Sequence, residues 1–210
     1  MKHLVLLGDS ILDNSPYTAP APDTSTILRT ALGSGWTVDL LARDGSTMSD
    51  LSSQLRHLAA VPAVGVLSIG GNDAIGDIDI LTPAVARTTD VLERLIDIVD
   101  SFAERYGRVV ADIRDRVERL IVCTIYEPPL DDPRTARLAR VPLSLLNDQI
   151  IRTAVQAGVD VLDLRTVCTD DSDFVNQIEP SAAGAEKIAR AIDALARGGT
   201  LRTSGRVFAA

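Results

Sequence analysis

The 210-residue sequence predicts an α/β protein, a five-stranded parallel sheet sandwiched between two layers of helices. Two observations carry that expectation. Five short runs rich in Val, Ile and Leu recur along the chain, and most are nearly continuous, as strands buried on both faces must be. Between them lie segments whose apolar residues return at helical spacing. Strands alternating with helices imply parallel connections, and five such strands make a compact three-layer α/β/α domain of the flavodoxin-like kind.

The first strand reads "HLVLLG" and the second "WTVDLLA", with Trp36 opening it as core or rim packing. Leu51, Leu55 and Leu58 follow the polar start "STMSD" at i, i+4 and i+7, which predicts a helix. The third strand is "AVGVLSIG". A long helix is expected to open at Thr82-Pro83, an N-cap followed by proline in the first turn. Its stripe is Leu92, Leu95, Ile96, Val99, Phe102 and Tyr106, and Gly107 offers a stop. The fourth strand is "RLIVCTI". A helix "PLSLLNDQIIRTAVQAG" leads to the fifth strand "VDVLDL", and "SAAGAEKIARAIDALARG" gives the last helix. Residues 13–23 and 126–142 read as irregular. The domain is expected to span 1–197, with 198–210 as a C-terminal tail, and there are no internal repeats.

The formal net charge is -8, a field that repels phosphate backbones and anionic lipid surfaces, so nucleic acid is not an expected partner. No apolar run approaches the roughly 18 residues of a membrane span. The apolar stretch before Gly8 is four residues, against about 7–15 for a secretory signal, so a cytoplasmic location is the expectation. Cys123 and Cys168 make no metal or disulfide spacing and read as buried thiols.

Three polar clusters end the first three strands: Gly8-Asp9-Ser10, Asp44-Gly45-Ser46 and Gly70-Gly71-Asn72-Asp73. In an open parallel sheet those ends share one edge, where the ligand crevice lies. In this order, "GDS", the glycine at 45 and "GGND" resemble the successive blocks of the SGNH hydrolases, the GDSL-type esterases and lipases. The resemblance runs from Leu4 to about Ala196 and implies the SGNH hydrolase fold. It also implies a small-molecule ester substrate, with Ser10 as nucleophile and an oxyanion hole made of the Ser10 N–H, the Gly45 N–H and the Asn72 amide. Such donors suit the negative charge of a tetrahedral intermediate. No cofactor and no metal enters this reading.

The last block departs from the family. Where Asp-x-x-His is usual, this chain has "NQIEPSAAGAEKIARAI", which puts Glu179 at the histidine position and Asn176 at the aspartate position. Neither histidine substitutes. His3 stands at the start of the first strand, roughly 20 Å from its end, and His57 is displaced about 15 Å along its helix. Glu179 is therefore the candidate base, with Asn176 to orient it and Asp9 and Asp73 as neighbouring carboxylates that raise its pKa. Its structural alternative is to accept N–H bonds from the following helix. Two functions follow: an acyl-ester hydrolase with an atypical base, or a catalytically silent protein binding a ligand or partner at the crevice. A magnesium site built from Asp9, Asp13, Asp44 and Asp73 lacks the spacing for it, and "GDSILDN" lacks the dinucleotide turn. "DDPRTARLAR" reads as a solvated face, with gripping an anionic substrate as the sharper alternative.

Overall fold

A computed structural model of the protein describes residues 1–58, 61–77 and 87–199. All five expected strands form: β1 (Lys2–Gly8), β2 (Trp36–Leu40), β3 (Val64–Ser68), β4 (Leu120–Cys123) and β5 (Asp160–Leu162). They pair in parallel in the order β2-β1-β3-β4-β5, so the order reverses beside β1. That reversal opens the crevice. The unbroken apolar run of β1 has a simple cause. Leu4 and Leu6 enter one core and Val5 and Leu7 the other, because successive side chains leave a strand on opposite faces.

Helices α1 (Ser15–Thr18), α2 (Thr24–Leu32), α3 (Leu51–Leu55), α4 (Gly71–Gly76), α5 (Thr88–Arg114), α6 (Pro133–Ala157) and α7 (Ala182–Ala196) connect the strands. Leu28 of α2 and Ile188 and Ile192 of α7 fill the first core; Phe102, Tyr106 and Ile150 fill the second. Among the described residues no helix is long and apolar enough to cross a membrane. Both cysteines are free and buried, and Trp36 packs at the edge of the first core.

Several boundaries differ from the sequence reading. Helix α3 stops at Leu55, leaving His57 and Leu58 beyond it. Helix α5 passes through Gly107 and ends at Arg114, because its last turns bring Val110 and Ile113 into the core. That burial outweighs the roughly 1 kcal/mol cost of a helical glycine. Of its expected stripe, Leu92 and Ile96 are 53% and 57% exposed, and the core is met instead through Ile98, Val99 and Phe102. The expected opening at Thr82-Pro83 lies outside the described residues. Helix α6 starts nine residues before the expected Pro142. Asp132 caps it, accepting from the Thr135 N–H at 2.9 Å, and Pro133 occupies the first turn, where its missing N–H costs nothing. Pro142 sits inside that helix. Helix α2 had no counterpart in the reading, although Asp23 caps it and Gly33, at φ +70, ends it. A two-stranded antiparallel hairpin, β6 (Phe174–Val175) and β7 (Glu179–Pro180), is also new.

Candidate active site

The rim is built at the ends of β1, β2 and β3. Gly8 has φ +124, and a Cβ there would lie 1.7 Å from the Ser68 carbonyl oxygen, so only glycine fits. Its peptide is held on both sides by one buried side chain: the Gly8 N–H donates to Gln54 Oε1 at 2.8 Å, and Gln54 Nε2 donates to the Gly8 carbonyl at 2.8 Å. Gln54 Nε2 also lies 3.3 Å from Ser46 Oγ. At the end of β4 the buried Asn147 treats Ile125 the same way, with both bonds at 2.8 Å. Sequence reasoning passed over Gln54; the signal was a polar residue beside Leu51 and Leu55 on the apolar face of its helix.

Past Gly8 the chain turns, with the Leu12 and Asp13 N–H groups bonded to the Asp9 carbonyl. Among the described residues neither the Ser10 N–H nor the Gly45 N–H has a hydrogen-bond partner. Gly45 occupies the third position of the turn closed by Ser46 N–H to Arg43 carbonyl, at φ +76, a conformation that favours glycine. A Cβ at 45 would touch nothing within 4 Å, so the demand for glycine there is conformational rather than the close approach expected. Asn72, near the start of α4, donates from Nδ2 to the Ser46 carbonyl at 2.9 Å, which keeps its amide beside the Gly45 loop.

These loops are cross-braced. Asp13 accepts from the Asp44 N–H at 3.0 Å, and Tyr17 donates to Asp44 Oδ2 at 2.8 Å. Asp73 pairs with Arg105 at 2.5 Å and accepts from the Met48 N–H at 3.1 Å. Asp73 was expected beside Glu179; its guanidinium partner makes it a brace instead. Among the described residues no group of three or more His, Cys, Asp or Glu side chains gathers where an ion could be held.

Glu179 approaches from the other side, on β7. The Tyr126 hydroxyl donates to the Ile178 carbonyl at 2.6 Å, and Gln177 accepts from the Asp131 N–H at 2.9 Å, so the hairpin is fastened beyond the end of β4. The carboxyl of Glu179 is half-buried, and its Oε2 is buried without a hydrogen-bond partner. Burial raises its pKa above the ordinary glutamate range, the Ser10 hydroxyl beside it pulls it partly back, and the Asp44 charge raises it again. Helix α7 does not use this carboxylate. Ser181 caps it, accepting from the Gly184 N–H at 3.2 Å.

Asn176 does not orient Glu179. It lies exposed at the hairpin tip with φ +50, and among the described residues it makes no hydrogen bond to Glu179. Two successive left-handed residues, Asn176 and Gln177, turn the chain there. The histidines are remote: His3 contacts Asp39 at 2.9 Å and His57 contacts the Ser53 carbonyl at 3.0 Å. Asp9 is buried and accepts from the Ile11 N–H at 3.2 Å; loss of hydration pushes its pKa up to about 8, against the Ile11 bond and with help from Glu179. It is a neutral acid at pH 7.

Asp9, Ser10, Asn72 and Glu179 line one cavity of about 140 Å³, whose remaining wall is largely aliphatic. Comparisons with known proteins bear on the family and the fold. The family model described as GDSL-like lipase/acylhydrolase matches residues 6–187. No curated protein sequence matches the chain. Among solved structures, phospholipase A1 from Streptomyces albidoflavus NA297 is 20% identical, with a TM-score of 0.66 over 89% of this chain and 95% of that one. The extracellular lipase of Streptomyces rimosus is 17% identical, with a TM-score of 0.64 over 89% and 96%. An acetylxylan esterase from Geobacillus stearothermophilus is 17% identical, with a TM-score of 0.65 over 97% of each chain. At such identities these structures establish a shared fold.

Proposed function

The chain belongs to the GDSL-like lipase/acylhydrolase family, a family of ester-hydrolysing enzymes, and from that premise we propose that it hydrolyses acyl esters of small molecules with Ser10 as nucleophile and Glu179 as base. The observation that carries the reading is the pairing of a half-buried carboxylate, short of one hydrogen bond, with the serine at the end of β1. In this mechanism Glu179 takes the Ser10 Oγ proton as the oxygen attacks the ester carbonyl. The resulting oxyanion is met by the Ser10 and Gly45 N–H groups and the remaining N–H of Asn72. Glu179 then returns the proton to the departing alcohol, leaving an acyl-serine. Water, deprotonated by the same carboxylate, attacks the acyl carbon; collapse of the second intermediate expels Ser10, which regains its proton, and frees the acid.

Histidine is a stronger base than glutamate by about two pKa units. The burial of Glu179 narrows that gap, and Ser181 spares it from capping α7. The second reading, a silent binding protein, is favoured by Asn176 and Glu179 standing where the family's last block carries aspartate and histidine. Labelling with a fluorophosphonate, alongside hydrolysis of p-nitrophenyl esters, separates the two. The enzyme reading expects Ser10 to be labelled, Ser10→Ala to abolish turnover and Glu179→Gln to lower kcat by about 10²–10⁴-fold. An unlabelled wild-type protein that gains activity only in Glu179→His would overturn it. The cytoplasmic location belongs to the same proposal and is checked by fractionating cells that express the full chain.

A further inference from the structure

We infer that the cavity is an acyl site selective for straight, uncharged chains of about four to eight carbons, and that the outer part of its wall is set by helix α6. The inference rests on the acyl-hydrolase reading and adds the identity of the acyl group. Ala139, Pro142, Leu143 and Leu146 of α6 line the cavity together with Ile75 and Ile98, and none of their side chains offers a hydrogen bond. Among the described residues every ionisable group in the lining, Asp9, Asp77 and Glu179, is a carboxyl, and no Lys, Arg or His accompanies them. A terminal carboxylate or phosphate on the acyl chain would therefore enter without a counter-charge. A sugar-like acyl substituent would find few partners for its hydroxyls. The volume, about 140 Å³, is close to that of cavities that hold a guest of about six carbons, such as benzene.

Each methylene moved from water into such a wall is worth about a fourfold gain in kcat/KM. A series of p-nitrophenyl esters from acetate to dodecanoate, with the monoester of adipic acid as the charged probe, is expected to peak at hexanoate or octanoate. Hexanoate should exceed acetate on the order of a hundredfold, and the adipate monoester should fall at least tenfold below hexanoate. Leu143→Trp should move the maximum to butyrate or shorter. A flat profile, a maximum at acetate, or a profile indifferent to Leu143→Trp would overturn the inference while leaving Ser10 chemistry intact. Calorimetric titration of 1-hexanol into Ser10→Ala gives a reading free of turnover. Binding weakened at least tenfold by Leu143→Trp, together with a wild-type protein that hydrolyses no ester, would uphold the ligand class and defeat the catalytic reading. Failure of both binding and turnover would end both.

Discussion

The two sides of the crevice are held by opposite means. On the donor side, the loops carrying Ser10, Gly45 and Asn72 are tied to one another by Gln54, Asp13, Asp73 and the Ser46 carbonyl, nearly every brace being a satisfied hydrogen bond or ion pair. On the carboxylate side, Glu179 rides on a hairpin of two-residue strands, and one of its oxygens is left without a partner in a dehydrated place. In the proposed mechanism, stability is concentrated where a charge would be received at a fixed position and surrendered where a group would hold and release a proton. Groups tuned for chemistry are often poorly matched to their surroundings, and the rest of the fold offsets the cost.

Substitutions test this contrast, beginning with the donor side. Gly8→Ala sets a methyl group 1.7 Å from the Ser68 oxygen at a φ of +124. The loss should exceed about 4 kcal/mol, seen as failure to recover folded protein or as a collapsed urea midpoint. Gln54→Leu strips both bonds from a buried peptide and should cost about 2–5 kcal/mol, with a matching fall in kcat as the loops loosen. If it unfolds at the wild-type midpoint, the donor side is not braced as described.

Asp9 should behave in the opposite sense. An unfolded aspartate ionises near 3.8, and this one does so at about 8. Between those values the unfolded chain has released a proton that the folded one keeps, so stability falls as pH rises through the window and is level above it. Asp9→Asn keeps an acceptor for the Ile11 N–H and should stabilise the protein at pH 7 and above by about 2 kcal/mol, with no gain below pH 4. Activity should have two limbs for the same reason. It should fade as acid protonates Glu179, at a pH above the ordinary glutamate range, and fade again above about 8 as Asp9 acquires charge beside the oxyanion. Asp9→Asn should remove only the alkaline limb, read from a kcat/KM profile. The smallest effect belongs to Asn176→Ala, expected to stay within about 0.5 kcal/mol in stability and twofold in kcat, because the side chain is exposed at the hairpin tip.

The donor side was largely legible in the sequence. Apolar runs mark strands locally, and glycine-rich clusters mark where strands end. Ser10, Gly45 and Asn72 stood out through their resemblance to the family's blocks, and the sheet order brings the three strand ends that carry them to one edge. The braces were hidden, since Gln54 and Gly8 meet across 46 positions. The carboxylate side was harder. Strands of two residues have no readable period, and Asn176 matched a family position by spacing while its exposed side chain makes no hydrogen bond to Glu179 among the described residues. The first turns of α6, which wall the cavity, were obscured by Pro142, whose usual effect as a helix breaker is overridden by the Asp132 cap upstream.

Gln54 and Asn147 have a consequence for solvent access. Each presents a primary amide that imitates a peptide, so a strand leaving its ladder acquires one further rung supplied by a side chain. The N–H groups of Gly8 and Ile125 should then exchange with deuterium as slowly as those in the middle of the sheet. A rigid floor thus runs out under the reacting groups, and the loops above it are free to diversify without letting water in beneath.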